Sequence, residues 1–216
     1  MQLHCKPIID LKFTIGYNFF IMKNKVFIKI SFAALLAAII CISGFIRIPV
    51  GPVPIVLQNV ICLLAAAILG GFYGCIPTLI FLLAGLIGLP VYSGGTSGMA
   101  VWLGPTGGFL AGYFLGALAT GLICGKPSVT EKKLSKTVII KIIVAFIIGT
   151  VILYIPGIIH FARWAENAGK VAADKSVMAY TMACCVLPFI PGSIIKLVIT
   201  IPVAIKLRPV AAQYLQ

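Results

Sequence analysis

Two side chains near the end of the sequence, Ser193 and Lys196, stand three residues apart in LPFIPGSIIK and share one face of a helix expected to begin at Gly192. At a helix start the free N–H groups and the positive end of the dipole, joined by an ammonium, attract a carboxylate. The same lysine, only about 6 Å into the helix, could instead reach along its stem to the membrane surface. A second group of candidates is the uncharged stretch LPVYSGGTSGMAVWLGPTGG, residues 89–108. Glycines such as Gly94 and Gly95 let backbone approach a ligand closely, and the hydroxyls of Ser93, Thr96, Ser97 and Thr106 can hydrogen-bond a neutral polar ring. A reentrant loop between helices is the other use of such a stretch. Tyr92, Trp102, Phe109 and Phe189 suit either the apolar walls of a pocket or interfacial anchoring.

Other chemistries find little support. GxxxxGK[ST] is absent, so no phosphate loop is expected. His4 and His160 belong to no HExxH, GxSxG is missing, and the four acids form no carboxylate pair inside an apolar run. The seven cysteines include no CxxC pair and mostly sit within apolar runs, where they read as small packing residues and not as metal ligands. Neither a catalytic site, a metal nor a cofactor is expected.

The elements that must position these residues are membrane helices. Of 216 residues 61% are hydrophobic and 10% charged, with a mean hydropathy of +1.16, where a soluble domain carries roughly a quarter charged. Each crossing takes roughly 20 apolar residues. Apolar runs bounded by Gly, Pro or charge give six segments: Val26–Ile48, Val56–Leu69, Phe72–Leu89, Gly107–Cys124, Val138–Phe161 and Gly192–Leu207. These define an all-α integral membrane fold, a six-transmembrane-helix bundle over residues 26–207, with a cytoplasmic tail at 208–216 and a leader at 1–25. Within it, residues 1–21 mix charge with apolar residues and lack a cleavage site, and Met22-Lys23-Asn24-Lys25 reads as a more natural start, which makes 1–21 a dispensable leader or a mis-called start.

The net charge of +13, with 17 Lys and Arg against four acids, would suggest nucleic acid in a soluble chain. Here it is an orientation signal. Lys6, Lys12, Lys23, Lys25 and Lys29, the Lys126–Lys141 cluster, and Lys206 with Arg208 fall on one side, against Arg47, Arg163, Lys170 and Lys175 on the other. Both termini are therefore expected in the cytoplasm of a multi-pass cell-membrane protein surrounded by lipid. Three loops then face outward: 49–58, where Pro49, Pro52 and Pro54 hold the backbone extended, 90–105, and 162–191. Irregular backbone at membrane depth survives only against protein or a cavity, so two of these loops read as walls or lids of an outward pocket. On the first helix, Ala33, Ala34, Ala37 and Ala38 form two AxxxA spacings, a smooth stripe for internal packing or for a partner helix.

Read together, PVPIVLQ (52–58), GLIGLPVYSGGTSG (85–98), LGPTGGFLAGY (103–113) and LPFIPGSIIK (187–196) resemble the BioY family, the biotin-specific S components of energy-coupling factor (ECF) transporters. The resemblance implies a compact six-helix S component that captures biotin from outside for uptake, its pocket roofed by the first loop. It implies a transmembrane T component meeting Ala33, Ala34, Ala37 and Ala38, and a pair of cytosolic ATPases beyond it. By motif, the ligand-binding set is Gln58, Tyr92, Gly94, Gly95, Thr96, Trp102, Phe109, Ser193 and Lys196. The family usually has Asp where this chain has Ser193, and a hydroxyl accepts hydrogen bonds more weakly than a carboxylate. An S component for another small vitamin and a membrane-embedded enzyme are the alternatives.

Overall fold

The computed structural model describes residues 8–49, 52–127, 135–171 and 176–215. It is helical apart from one short hairpin. Helix α1 (Ile8–Ser43) leads into the hairpin, β1 (Arg47–Ile48) paired antiparallel with β2 (Ile55–Val56). There follow α2 (Gln58–Leu69), a 3-10 turn (Gly71–Cys75) running into α3 (Ile76–Leu86), α4 (Met99–Leu103), α5 (Gly107–Cys124), α6 (Lys136–Asn167), α7 (Val177–Cys185) and α8 (Phe189–Leu215).

Among the described residues, four segments are long and apolar enough to cross a bilayer: Val26–Ser43, Gly107–Cys124, Lys136–Asn167 and Val177–Leu215. Two shorter apolar ones, Gln58–Leu69 and Gly71–Leu86, complete the six expected segments in order. Counted as separate α-helices there are eight among the described residues, because α4 and α7, of 5 and 9 residues, form inside stretches read as loops. Gly70 and Gly71, at φ of +68° and +57°, make the tight turn expected between the second and third segments. A side chain at Gly70 would also run into the carbonyl of Gly125.

Several boundaries differ from the expected ones. Helix α1 starts at Ile8, so from there on the stretch read as a leader is continuous with the first membrane helix; residues 1–7 lie outside the described residues. The third outer loop is largely helical, since α6 extends to Asn167 and α7 begins at Val177. Helix α8 starts at Phe189, not Gly192, because a proline in the first turn, here Pro191, loses only an N–H that has no partner there. It continues to Leu215, so the stretch read as a tail is helical through 208–215, and residue 216 lies outside the described residues. Arg208, read as an orientation charge, is 3% exposed. Its guanidinium donates to the carbonyls of Ala67, Cys124 and Gly125, at the C-terminal ends of α2 and α5. Those ends present orphan acceptors and the negative pole of each helix, which a buried cation satisfies.

The tightest helix pair is α5 with α6, and glycine is the reason. A Cβ at Gly108, Gly112 or Gly116 would run into the backbone carbonyl of Pro156, Leu153 or Gly149 respectively. The falling partner numbers show that the two helices are antiparallel. Without side chains along this four-residue stripe the backbones approach closely, which supplies the dispersion contact that drives association in lipid. Thr120 adds a hydrogen bond to the carbonyl of Ala145. The alanines of α1 divide: Ala33 and Ala37 are 5% and 3% exposed, Ala33 packing among Ile68, Leu69 and Ala211, whereas Ala34 and Ala38 face outward.

Candidate functional site

The hairpin and the N-terminal ends of α2 and α5 enclose a cavity of about 350 Å³. Pro52, Val53 and Pro54 roof it, Gln58 and Asn59 enter from the first turn of α2, and Tyr92, Ser93 and Thr96 come from the loop before α4. Phe109, Leu110 and Tyr113 line it from α5, Leu153 and Tyr154 from α6, and Phe189 from the start of α8. Phe109, Leu110 and Tyr113 are spaced so that one helix face supplies all three, and Phe109 meets Tyr154 edge-on with ring centroids 6.0 Å apart. Arg47 is the single charged residue among those lining the cavity; it lies on the hairpin at the exposed rim.

Of the residues expected to bind a ligand, Gln58, Tyr92, Thr96 and Phe109 line this cavity. Gln58 is 1% exposed. Its Nε2 donates to the carbonyls of Ile40 (3.3 Å) and Val91 (2.8 Å), joining α1, α2 and the loop before α4. The amide fits only because residue 44 is glycine: a Cβ there would sit 2.5 Å from Nε2. Gln58 Oε1 and Ser93 Oγ are buried with no partner among the described residues, a costly state that a hydrogen-bonding ligand relieves.

Gly94, Gly95 and Trp102 do not line the cavity but shape it. At φ of +73° and +77° the two glycines close the Tyr92–Thr96 turn, where Tyr92 N–H bonds to the carbonyl of Thr96 and Gly95 N–H to that of Tyr92. A side chain at Gly94 would collide with the Arg47 guanidinium, so the glycine lets the arginine lie flat against the loop. Trp102 Nε1 donates to the Tyr92 hydroxyl (2.9 Å), which in turn donates to the carbonyl of Leu82 (2.6 Å). Burial holds the Tyr92 phenol above its ordinary pKa, so it remains a donor.

Ser193 and Lys196 stand behind the cavity wall. Because α8 begins at Phe189, Lys196 lies about 10 Å along it, beyond the free N–H groups of the first turn. Its Nζ donates to the carbonyl of Val56 (2.8 Å) and to Asn59 Oδ1 (3.1 Å), both from residues that line the cavity. Ser193 Oγ hydrogen-bonds Tyr154 OH at 3.0 Å. The pair thus braces the roof and one wall through groups that themselves line the cavity. Sequence reasoning passed over Arg47, Asn59, Tyr113 and Tyr154 as lining residues. For Tyr113 a signal existed, since it closes LGPTGGFLAGY four residues after Phe109. His160, from α6, is also active here, bonding through Nε2 to the carbonyl of Gly104 (2.9 Å) and holding the loop before α5.

Comparisons with known proteins place the chain by family and fold. A biotin transporter BioY of Rhodobacter capsulatus is 36% identical over 175 residues, 80% of this chain and 88% of its own length. One from Thermotoga maritima is 33% identical over 176 residues, 82% and 93% of the two chains. A crystal structure of the S component for biotin from an ECF-type ABC transporter superposes with a TM-score of 0.70 at 30% identity, covering 83% of this chain and 90% of that one. The BioY family profile matches residues 21–213. With its six apolar segments, its roofed cavity and this match across most of its length, the chain belongs to the BioY family.

Proposed function

We propose that this protein captures biotin at the outer face of the cell membrane as the substrate-binding subunit of an ECF transporter. The observation that carries the reading is the cavity's polarity: apolar and aromatic walls, neutral hydrogen-bonding groups, and a single guanidinium at the mouth. Its volume of about 350 Å³ falls in the range of small-molecule sites. Biotin matches that distribution with a neutral ureido-fused ring system and one carboxylate on a flexible chain. A carboxylate is expensive to desolvate, so it stays at the exposed rim with Arg47, which can bind it through two parallel N–H donors. The ring enters between Phe109, Tyr154 and Phe189, and Gln58 Oε1 accepts one ureido N–H.

The hairpin end faces outward and both termini lie in the cytoplasm, as the basic residues favour. Ala34 and Ala38, exposed on α1, form the small-residue face for the transmembrane T component, which couples to the cytosolic ATPases. Ala33 and Ala37 serve the bundle's own packing. Titration of the purified protein with biotin, riboflavin and thiamin tests the reading: saturable binding of biotin and not of the other two is expected. No biotin binding, or equal binding of all three, would overturn it.

A further inference from the structure

The cavity floor holds a phenol that nothing in the bundle claims. Tyr113 stands six residues into α5, about 9 Å below the helix start at Gly107. It is 7% exposed and lines the cavity. The other two tyrosines of the wall are tied to protein, Tyr92 to the carbonyl of Leu82 and to Trp102, Tyr154 to Ser193. The Tyr113 hydroxyl has no hydrogen-bond partner among the described residues, and its nearest cavity-lining neighbours along α5, Phe109 and Leu110, carry no polar side-chain atom. The hydroxyl therefore opens onto the cavity as an uncommitted donor, and a ligand that fills the cavity buries it and must satisfy it.

We infer that Tyr113 is a specificity-determining residue, its hydroxyl donating a hydrogen bond to the carbonyl oxygen of the ligand's neutral polar ring. The inference rests on the proposed reading that the charged end of the ligand remains at Arg47, which sends the ring to the floor. Polarity selects the donor role. Gln58 Oε1 can only accept and so serves a ring N–H, while the ring carbonyl needs a donor and Tyr113 supplies an uncommitted one. A hydroxyl aimed at a carbonyl discriminates against an analogue lacking that oxygen, because the buried donor is then left unsatisfied.

The test uses the full chain in detergent at neutral pH, with biotin and its 2-imino analogue, whose cyclic guanidinium presents N–H donors and no acceptor where biotin has the ureido oxygen, titrated against wild type and Tyr113→Phe. The substitution removes one oxygen and keeps the ring. Biotin affinity is expected to fall about tenfold, the analogue's affinity to change less than about twofold, and the melting temperature of the ligand-free protein to hold or rise. The ratio of the two affinities therefore collapses in the variant. Unchanged biotin affinity in Tyr113→Phe, or an equal loss for both ligands, would overturn the inference while leaving biotin capture intact. Failure of wild type to bind biotin would overturn both. Arg47→Gln separates the two ends: it is expected to weaken both ligands and preserve their ratio.

Discussion

Replacing Lys196 with methionine keeps the apolar stem of the side chain and deletes the ammonium that joins α8 to the roof. The two bonds lost run from Nζ to the carbonyl of Val56 at 2.8 Å and to Asn59 Oδ1 at 3.1 Å. Hydrogen bonds to charged groups contribute about 1.5–3 kcal/mol each. Asn59 Oδ1 keeps a second donor in the backbone N–H of Val60, so the Val56 bond is the larger loss. In the variant β2 and the Asn59 carboxamide are held less firmly, and binding must order them. If about half of one such bond is charged to binding, the cost is about 1.4 kcal/mol, or tenfold in affinity. If the lysine acts by securing the roof, the loss is expected in the dissociation rate, with the association rate and its salt dependence unchanged. Stopped-flow and equilibrium titration with biotin at two ionic strengths measure each quantity. Unchanged affinity, or a loss confined to a salt-sensitive association rate, would refute the bracing role.

The opposite kinetic signature is expected at the mouth, where Arg47→Gln removes the one cation lining the cavity. Association with biotin should slow and lose its dependence on salt, because an exposed guanidinium acts through a screened field. At the other end of the bundle, Arg208→Met leaves the carbonyls of Ala67, Cys124 and Gly125 without their donor and should cost about 3 kcal/mol of stability. That loss reads out as a lowered melting temperature in detergent, with biotin affinity of the folded fraction preserved because Ala67 lies about 14 Å along α2 from Gln58. Gly112→Leu forces a side chain into the Leu153 carbonyl and should both lower the melting temperature and abolish binding, since Tyr113 and Tyr154 come from the two helices it separates.

Much of the candidate site was legible where a residue's role is local. The glycine turn at Gly70–Gly71, the roof prolines and the uncharged loop 89–108 announce themselves by backbone preference, and Gln58, Tyr92, Thr96 and Phe109 follow from the motifs that contain them. What stayed hidden shares a cause. Ser193 and Lys196 were read from spacing on one helix, but whether a lysine meets a ligand or a neighbouring strand depends on where α8 starts and on what packs against it. Arg47 counted as an orientation charge because its partner surface, the backbone at Gly94, is remote in sequence. The Gly108, Gly112 and Gly116 stripe carries the same four-residue spacing that singled out the alanines of α1, yet only the packed bundle shows that it joins α5 to α6.

By itself the sequence determined the solvent and the six apolar segments, because hydropathy and turn chemistry are summed along the chain. It determined the family as well, since four ordered motifs are a linear property. Tertiary structure alone decided which cation stands at the cavity mouth, that Lys196 clasps the roof, that Arg208 is buried against two helix ends, and that Tyr113 keeps an unclaimed hydroxyl at the floor. Each of these depends on contacts between residues tens of positions apart, and the exposure and pairing of a polar group are set by its three-dimensional neighbours, which no spacing along one helix specifies.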